Sequence, residues 1–478
     1  MIKNGFFALM LLLCASVLAQ DAKKVWTLRE LIDHAVSSNL TIKRSVYGVR
    51  TGEVNYLQSK MSMLPTANAS VNYGFSWGRN IDPVSNQFVE ERINSTNASA
   101  SSSWLLWNGF RLFYAMKQNE TELEALNQDL IKARNDVILN VITLYLNVVF
   151  NKELMHVAQL QVASTREQLE RTRKMALAGS VPQADVLNLE AQLATNELTV
   201  VQRENAYNLS LLQLKQALQF PASQPLEVAN VPPDIDAEPV ITRTSEEIFE
   251  SAMALMPEIQ AARLRQRSAM YALRSARGNY YPRLSLNGNI TTLYSTARKE
   301  AFLEGTNIVP VEIGYLQSNP SERVYTDQVV PQYTFRTMDY SDQFKNNLGK
   351  GLGFNLTIPL FNGFSARSAV QRAAINRELA DITFLERENQ LRQSVETAYN
   401  DAVAAAKTYE SARKQVKARE EAYRMTKQRF ELGAANYVEY QVAENDLYQA
   451  QSDMLRARYD FIFRKKVLDF YQGLPLEF

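Results

Sequence analysis

Few side chains in this sequence are spaced to do chemistry. His34 and His156 are the only histidines, and neither has a His-x-x-x-His or carboxylate cluster of the kind that holds a metal, so both read as surface or packing residues. Gly349-Lys350-Gly351-Leu352-Gly353 is the nearest approach to a phosphate loop. It lacks the Gly-Lys-Ser/Thr ending and lies in a period-two apolar pattern, so small residues on one face of a strand explain it better. The charge run from Arg413 to Glu421 reads as a solvated helix face. Asp185 and Glu439 each stand six residues after a glycine, Gly179 and Gly433, in the first turn of a helix, where a carboxylate counters the helix dipole. No nucleophile is paired with a base, so no enzyme and no cofactor is expected.

Charge and leader narrow the class. Lys+Arg number 52 and Asp+Glu 51, which removes the electrostatic reason to expect nucleic acid as a partner. Mean hydropathy is −0.27, too low for a helical membrane bundle. Lys3, the apolar run Phe6 to Cys14 and Val17-Leu18-Ala19 form a secretory signal over residues 1–19, with cleavage expected after Ala19 and Gln20 as the mature start. Cys14, the single cysteine, follows the bulky Leu13 and is not read as a lipid site. The mature chain then has no disulfide.

An internal repeat organises the rest. Trp107-Asn108-Gly109-Phe110 returns 254 residues later as Phe361-Asn362-Gly363-Phe364. Gly179 and Gly433, Tyr145 and Tyr399, Glu190 and Glu444, and Phe220-Pro221 and Leu474-Pro475 keep the same offset. Ahead of this block Pro65 matches Pro282, Ala35 matches Ala252 and Ile42 matches Ile259, at an offset of 217. The first repeat is expected over 20–221, a Pro-rich linker over 222–244, and the second repeat over 245–478. The segment between the offsets is 37 residues longer in the second copy.

Phe110 to Ala178 has neither Pro nor Gly, and its apolar residues recur at helical spacing. A helix of that length is ~100 Å long at about 1.5 Å per residue. Gly179 ends it, and Ser180 to Gln219 reads as a returning helix with Pro182 in its first turn. Ser365–Leu432 and Asn436–Gln472 repeat the pair, so the helices (about 110–219 and 364–472) form antiparallel coiled hairpins. Val137 to Phe150 is apolar almost all round, yet too short to span lipid, and is expected to be buried on both sides.

The inserts, about 66–107 and 283–361, have the other period. Val71, Tyr73, Phe75 and Trp77 alternate with Ser70, Asn72, Gly74 and Ser76. Leu284, Leu286 and Ile290, then Leu352, Phe354, Leu356, Ile358 and Leu360, alternate with small polar residues, and Ala98 to Leu106 does so more weakly. This is the pattern of outer-membrane barrel strands, four per chain. Four strands cannot close, and an open edge in lipid leaves backbone groups unpaired, so chains must pool; three give twelve strands and room for a bore. Residues about 296–346 depart from the pattern and are expected to face outside the cell.

The order of elements, the two-fold repeat, the Pro before each β-hairpin, Phe-Asn-Gly-Phe and the Glu-Leu-Gly turn resemble the TolC-type outer-membrane efflux family from about Val25 onward. The resemblance implies a mostly α fold with a β-barrel part: a homotrimer with a 12-stranded outer-membrane β-barrel continued by a trimeric α-helical barrel. The implied function is an outer-membrane channel of a tripartite efflux or type I secretion system, partnered by a periplasmic adaptor, an inner-membrane pump and outer-membrane lipid. It implies that the linker packs around the tunnel's waist and that Gly179, Ser180, Gly433 and Ala434 are adaptor-docking tips. It also implies that Glu439 and Asp185 ring the periplasmic gate. The family often has a second acid where Val442 stands and a basic residue where Ala435 stands. A structural coiled-coil protein of the envelope would leave the amphipathic β segments unexplained. A diffusion porin would leave the ~100 Å helices unexplained.

Overall fold

The computed structural model describes residues 25–81, 86–90, 92–230 and 241–474. The expected signal segment with Cys14 and Ala19, the linker prolines 232, 233 and 239, and Pro475 and Phe478 lie outside them. In chain order the elements are β1 (Val25–Trp26), α1 (Leu28–Ser38), α2 (Leu40–Met61), β2 (Thr66–Ser76), β3 (Asn80–Ile81), β4 (Phe88–Val89), β5 (Ile93–Trp107), α3 (Arg111–Leu177) and α4 (Gln183–Ala217). Then come β6 (Glu227–Val228), α5 (Ser245–Leu255), α6 (Pro257–Arg277), β7 (Arg283–Ser295), β8 (Lys299–Leu316), β9 (Asn319–Thr337), α7 (Tyr340–Asn346), β10 (Gly349–Thr357), α8 (Ser365–Glu431) and α9 (Tyr437–Tyr471). The long helices α3 and α8 have 67 residues each and the returning helices α4 and α9 have 35 each. All four start and stop 254 residues apart in the two copies.

The chain folds as two compact units that cut across the repeats. The helical unit takes its described residues from 1–55, 119–270 and 375–478. Helices α1 and α5 begin with the same capping box. The Thr27 and Thr244 hydroxyls accept from the Glu30 and Glu247 amides, and the two carboxylates accept from the threonine amides at 2.9 Å. Each short helix then buries one face: Leu31 and Ala35 in one core, Ile248 and Ala252 in the other.

The apolar stretch of α3 is the centre of the first core. Val137, Val141, Ile142, Tyr145, Val148 and Val149 are buried there with residues of α1, α4 and α9. By length and composition α3 could cross a membrane; protein side chains cover its apolar face, while Asn140, Thr143 and Asn147 stay exposed, so the stretch is not buried on both sides as its composition suggested. The start of the linker joins the same core: β6 pairs parallel with β1, Leu226 and Val228 are buried, and the Tyr145 hydroxyl donates to the Ala229 carbonyl at 2.8 Å.

The second unit, from 56–118 and 271–374, holds a four-stranded sheet of order β10-β7-β5-β2, antiparallel throughout. Its alternation follows the sequence, except that β10 stops at Thr357, so Ile358 and Leu360 lie beyond the strand. Each aromatic-Asn-Gly-Phe motif turns the chain from strand to helix through two successive left-handed residues. These are Gly109 and Phe110 at φ 64° and 61°, and Gly363 and Phe364 at 60° and 62°. A Cβ on Gly109 would stand 2.6 Å from the Cβ of Tyr281, so glycine is required there on two counts.

Two further expectations are corrected. The extra residues of the second insert, expected to depart from the strand pattern, form two regular strands. β8 and β9 pair along almost their whole length as a separate two-stranded ladder, in which nearly every side chain is exposed. Cross-strand pairs such as Ile308 with Val329, Val311 with Thr326 and Leu303 with Tyr333 support it without a buried face. Gln343 of α7 is fully buried and bonds both the amide and the carbonyl of Ser295, at 3.0 and 2.9 Å, which fixes the base of the ladder. Pro182 is the N-cap of α4, extended at φ −67° and ψ 149°, rather than part of its first turn. Residues 180 and 181 are used in reversing the chain.

Candidate site at the helix-hairpin tips

Both hairpin tips are in the helical unit, and both close by the same backbone device. Gly179 and Gly433 take φ 74°. Their amides donate to Ala176 and Phe430 carbonyls at 2.9 and 3.0 Å. The next amides, of Ser180 and Ala434, reach back to Met175 and Arg429 at 2.9 and 2.7 Å. This is the Schellman closure, which satisfies the last carbonyls of a helix and needs a left-handed residue at the turn. The returning ends of the helices close alike, with Gln219 at φ 61° where the second copy has Gly473 at 75°.

The two acids differ in setting. Glu439 is the third residue of α9. Its amide donates to the Asn436 side chain at 2.9 Å, and its carboxylate meets Asn436 at 3.2 Å and Arg429 at 3.4 Å. The pair is about half exposed, so it contributes little to stability. Asp185 lies in a helix start whose cap, Pro182, has no side-chain acceptor. It lines a cleft of about 510 Å³ between the tips, together with Arg171, Lys427, Phe430, Tyr437 and Tyr440. One chain therefore brings Asp185 into the cleft and turns Glu439 to Arg429.

The repeat has diverged inside the tips. In the first copy Leu169, Val186 and Leu189 make an apolar cluster, and Glu190 pairs at the surface with Arg173 at 2.7 Å. The matching positions of the second copy are Tyr423, Tyr440, Ala443, Glu444 and Lys427. Glu444 is only 7% exposed. It accepts from the Ser164 hydroxyl of α3 at 2.8 Å and from the Tyr440 hydroxyl at 3.4 Å, while the Tyr440 and Tyr423 hydroxyls bond at 2.9 Å. Burial pushes the Glu444 carboxyl above its ordinary range, against the opposing pull of those hydrogen bonds and of Lys427. Burial, then the charges of Glu444 and Asp185, push Tyr437 up to about 12. Gln161 with Asn445, Gln192 with Gln441, and Glu153 with Tyr459 extend this polar seam between the hairpins.

Sequence reasoning matched Glu444 to Glu190 but not the burial of one and exposure of the other. The usable signal is the replacement of Leu169 and Val186 by tyrosines in the repeat register. His34, also weighed above, packs against Phe220 and Trp26, with ring centroids 4.4 and 5.8 Å away. Among the described residues no group of three or more His, Cys, Asp or Glu could hold a metal ion.

The family model for outer membrane efflux protein matches residues 31–218 and 248–468. Alkaline protease secretion protein AprF of Pseudomonas aeruginosa is 19% identical over 419 residues, covering 87% of this chain and 78% of that protein. Outer membrane protein TolC of Escherichia coli is 21% identical over 446 residues, covering 92% of this chain and 80% of its own. The crystal structure of the outer membrane protein VceC from Vibrio cholerae superposes with a TM-score of 0.72 at 14% identity, over 94% of this chain and 97% of that one. With the family match spanning most of both repeats and the fold shared with a solved outer membrane protein, this chain belongs to the outer membrane efflux protein family.

Proposed function

We propose that three copies of this chain assemble into one conduit through the outer membrane, passing cargo delivered by an inner-membrane pump and a periplasmic adaptor. The observation that carries this reading is the four-stranded sheet. One face is apolar and aromatic, the other small and polar, and among the described residues both outer strands, β2 and β10, have an unpaired edge. In lipid such edges cost several kcal/mol per unsatisfied group, and pairing β2 of one copy with β10 of the next removes them. Three copies make twelve strands.

In this reading the helical units stand in the periplasm. Gly179, Ser180, Gly433 and Ala434 are the surface an adaptor meets, and Glu439 and Asp185 gather around the threefold axis at the entrance. Gathered like charges in a narrow ring attract cations. Native mass spectrometry of the protein extracted from outer membranes tests the assembly: three chains are expected, and a population of only monomers or dimers overturns it.

A further inference from the structure

The sheet register divides the strands into two faces of unlike chemistry. One carries Val71, Tyr73, Trp104, Leu286, Leu352 and Phe354, and its single charged side chain is Lys350. The other is built in rows, of which Asn68, Ser101, Asn289 and Gly351 form one across all four strands. The neighbouring rows are likewise mostly Ser, Thr, Asn and Gly, with Ile93, Leu105 and Leu293 the apolar exceptions and Arg283, at the first position of β7, the one charge. Cross-strand hydrogen bonds tie the face together, Ser70 to Ser99 and Ser103 to Asn287, each at 2.8 Å. On β10 this face starts with Gly349, Gly351 and Gly353, which leaves bare backbone at the end of three successive rows, and continues with Asn355 and Thr357.

Pores that select by charge do so with rings of carboxylates or of basic groups. Hydroxyls and amides carry no net charge and can turn a dipole toward an ion of either sign. Side chains of this size also leave the bore as wide as its strand number allows.

We propose that the strand part of the conduit beyond Arg283 is a charge-free, hydrogen-bonding sleeve that passes solutes of either sign, so that charge selection arises elsewhere, at the helix tips and at Arg283. This rests on the conduit reading above, and the test separates the two. Cysteine is placed at Ser101 and Ser99 on the polar face and at Ala100 on the apolar face, in the full-length protein in lipid nanodiscs. The unsubstituted protein, whose only cysteine is Cys14, serves as the blank. Each is treated with an anionic and a cationic methanethiosulfonate, sulfonatoethyl and trimethylammonioethyl.

The expected result is that Ser101→Cys and Ser99→Cys react with both reagents, at a rate ratio within about twofold of that for a free thiol, because a neutral wall concentrates neither ion. A skew of about tenfold or more, the level a charged cleft imposes, overturns the sleeve while leaving the conduit intact. Reaction at Ala100→Cys with none at Ser101→Cys and Ser99→Cys reverses the faces and overturns both.

Discussion

Ser164 on the first hairpin donates a 2.8 Å hydrogen bond to Glu444 on the second, joining the two repeats through a buried carboxyl whose first-copy mate, Glu190, is spent on a surface pair with Arg173. The folded-state pKa of Glu444 is raised, chiefly by burial, above its ordinary 4.5. Between the ordinary and the raised value the folded tip holds a proton that the unfolded chain has released. Its stabilisation is whole below the unfolded value and is lost as pH rises through the raised one. Hydrogen exchange at the tips, corrected for intrinsic rates, should slow as pH falls from above the raised value toward the ordinary 4.5. Glu444→Gln should flatten that difference while keeping the bonds to Ser164 and Tyr440. An unchanged pH dependence in the variant would remove Glu444 as its source.

The paired capping boxes make a symmetric prediction. Thr27→Ala and Thr244→Ala should each cost about 1 kcal/mol, read from exchange of the first-turn amides of α1 and α5. The two helices pack into separate cores, so the double variant should lose the sum, within about 0.5 kcal/mol. Loss confined to one helix would show that the two caps are not equivalent.

Gln219 and Gly473 hold the same left-handed position in the two copies. Gln219→Gly relieves the conformation and should raise the temperature at which heated samples dissociate on gels. Gly473→Ala should lower it, through strain of about 1–3 kcal/mol, since its Cβ would stand 2.6 Å from a Leu255 methyl at φ 75°. Shifts of the opposite sign would contradict the strain argument.

The β8–β9 ladder should face outside the cell, as long connections of outer-membrane barrels do. Protease added to whole cells should cut between Lys299 and Thr337, where nearly every side chain is exposed. Cleavage near Gly179 or Gly433 in intact cells would invert the topology.

Much of the architecture was legible because its signals are local. A run from Phe110 to Ala178 without Gly or Pro leaves helix as the only regular choice, and Gly179 and Gly433 supply the turns. Alternation placed four strands, and a buried face on the apolar stretch of α3 followed from its composition. What escaped depends on non-local or subtle context. Pro182 reads equally well as a first-turn or a capping residue, and only the space needed by the reversal separates them. The β8–β9 ladder has no buried face, hence no two-residue period to detect. Glu444 and Glu190 look alike in sequence, and their different fates depend on Ser164, 280 residues away. The role proposed for Glu439 and Asp185 depends on copies of the chain around an axis, which no single sequence displays.

The most direct test is the reversal potential of the reconstituted protein in a planar bilayer under a salt gradient, compared with Glu439→Gln and with Ser101→Ala. The conduit account predicts single-channel conductance with a cation preference that Glu439→Gln weakens and Ser101→Ala leaves unchanged. Glu439 contributes to its own helix and to Arg429 by no more than about 1 kcal/mol, so the trimer should survive its loss. Absence of conductance from intact trimers, or a preference untouched by Glu439→Gln, would contradict it.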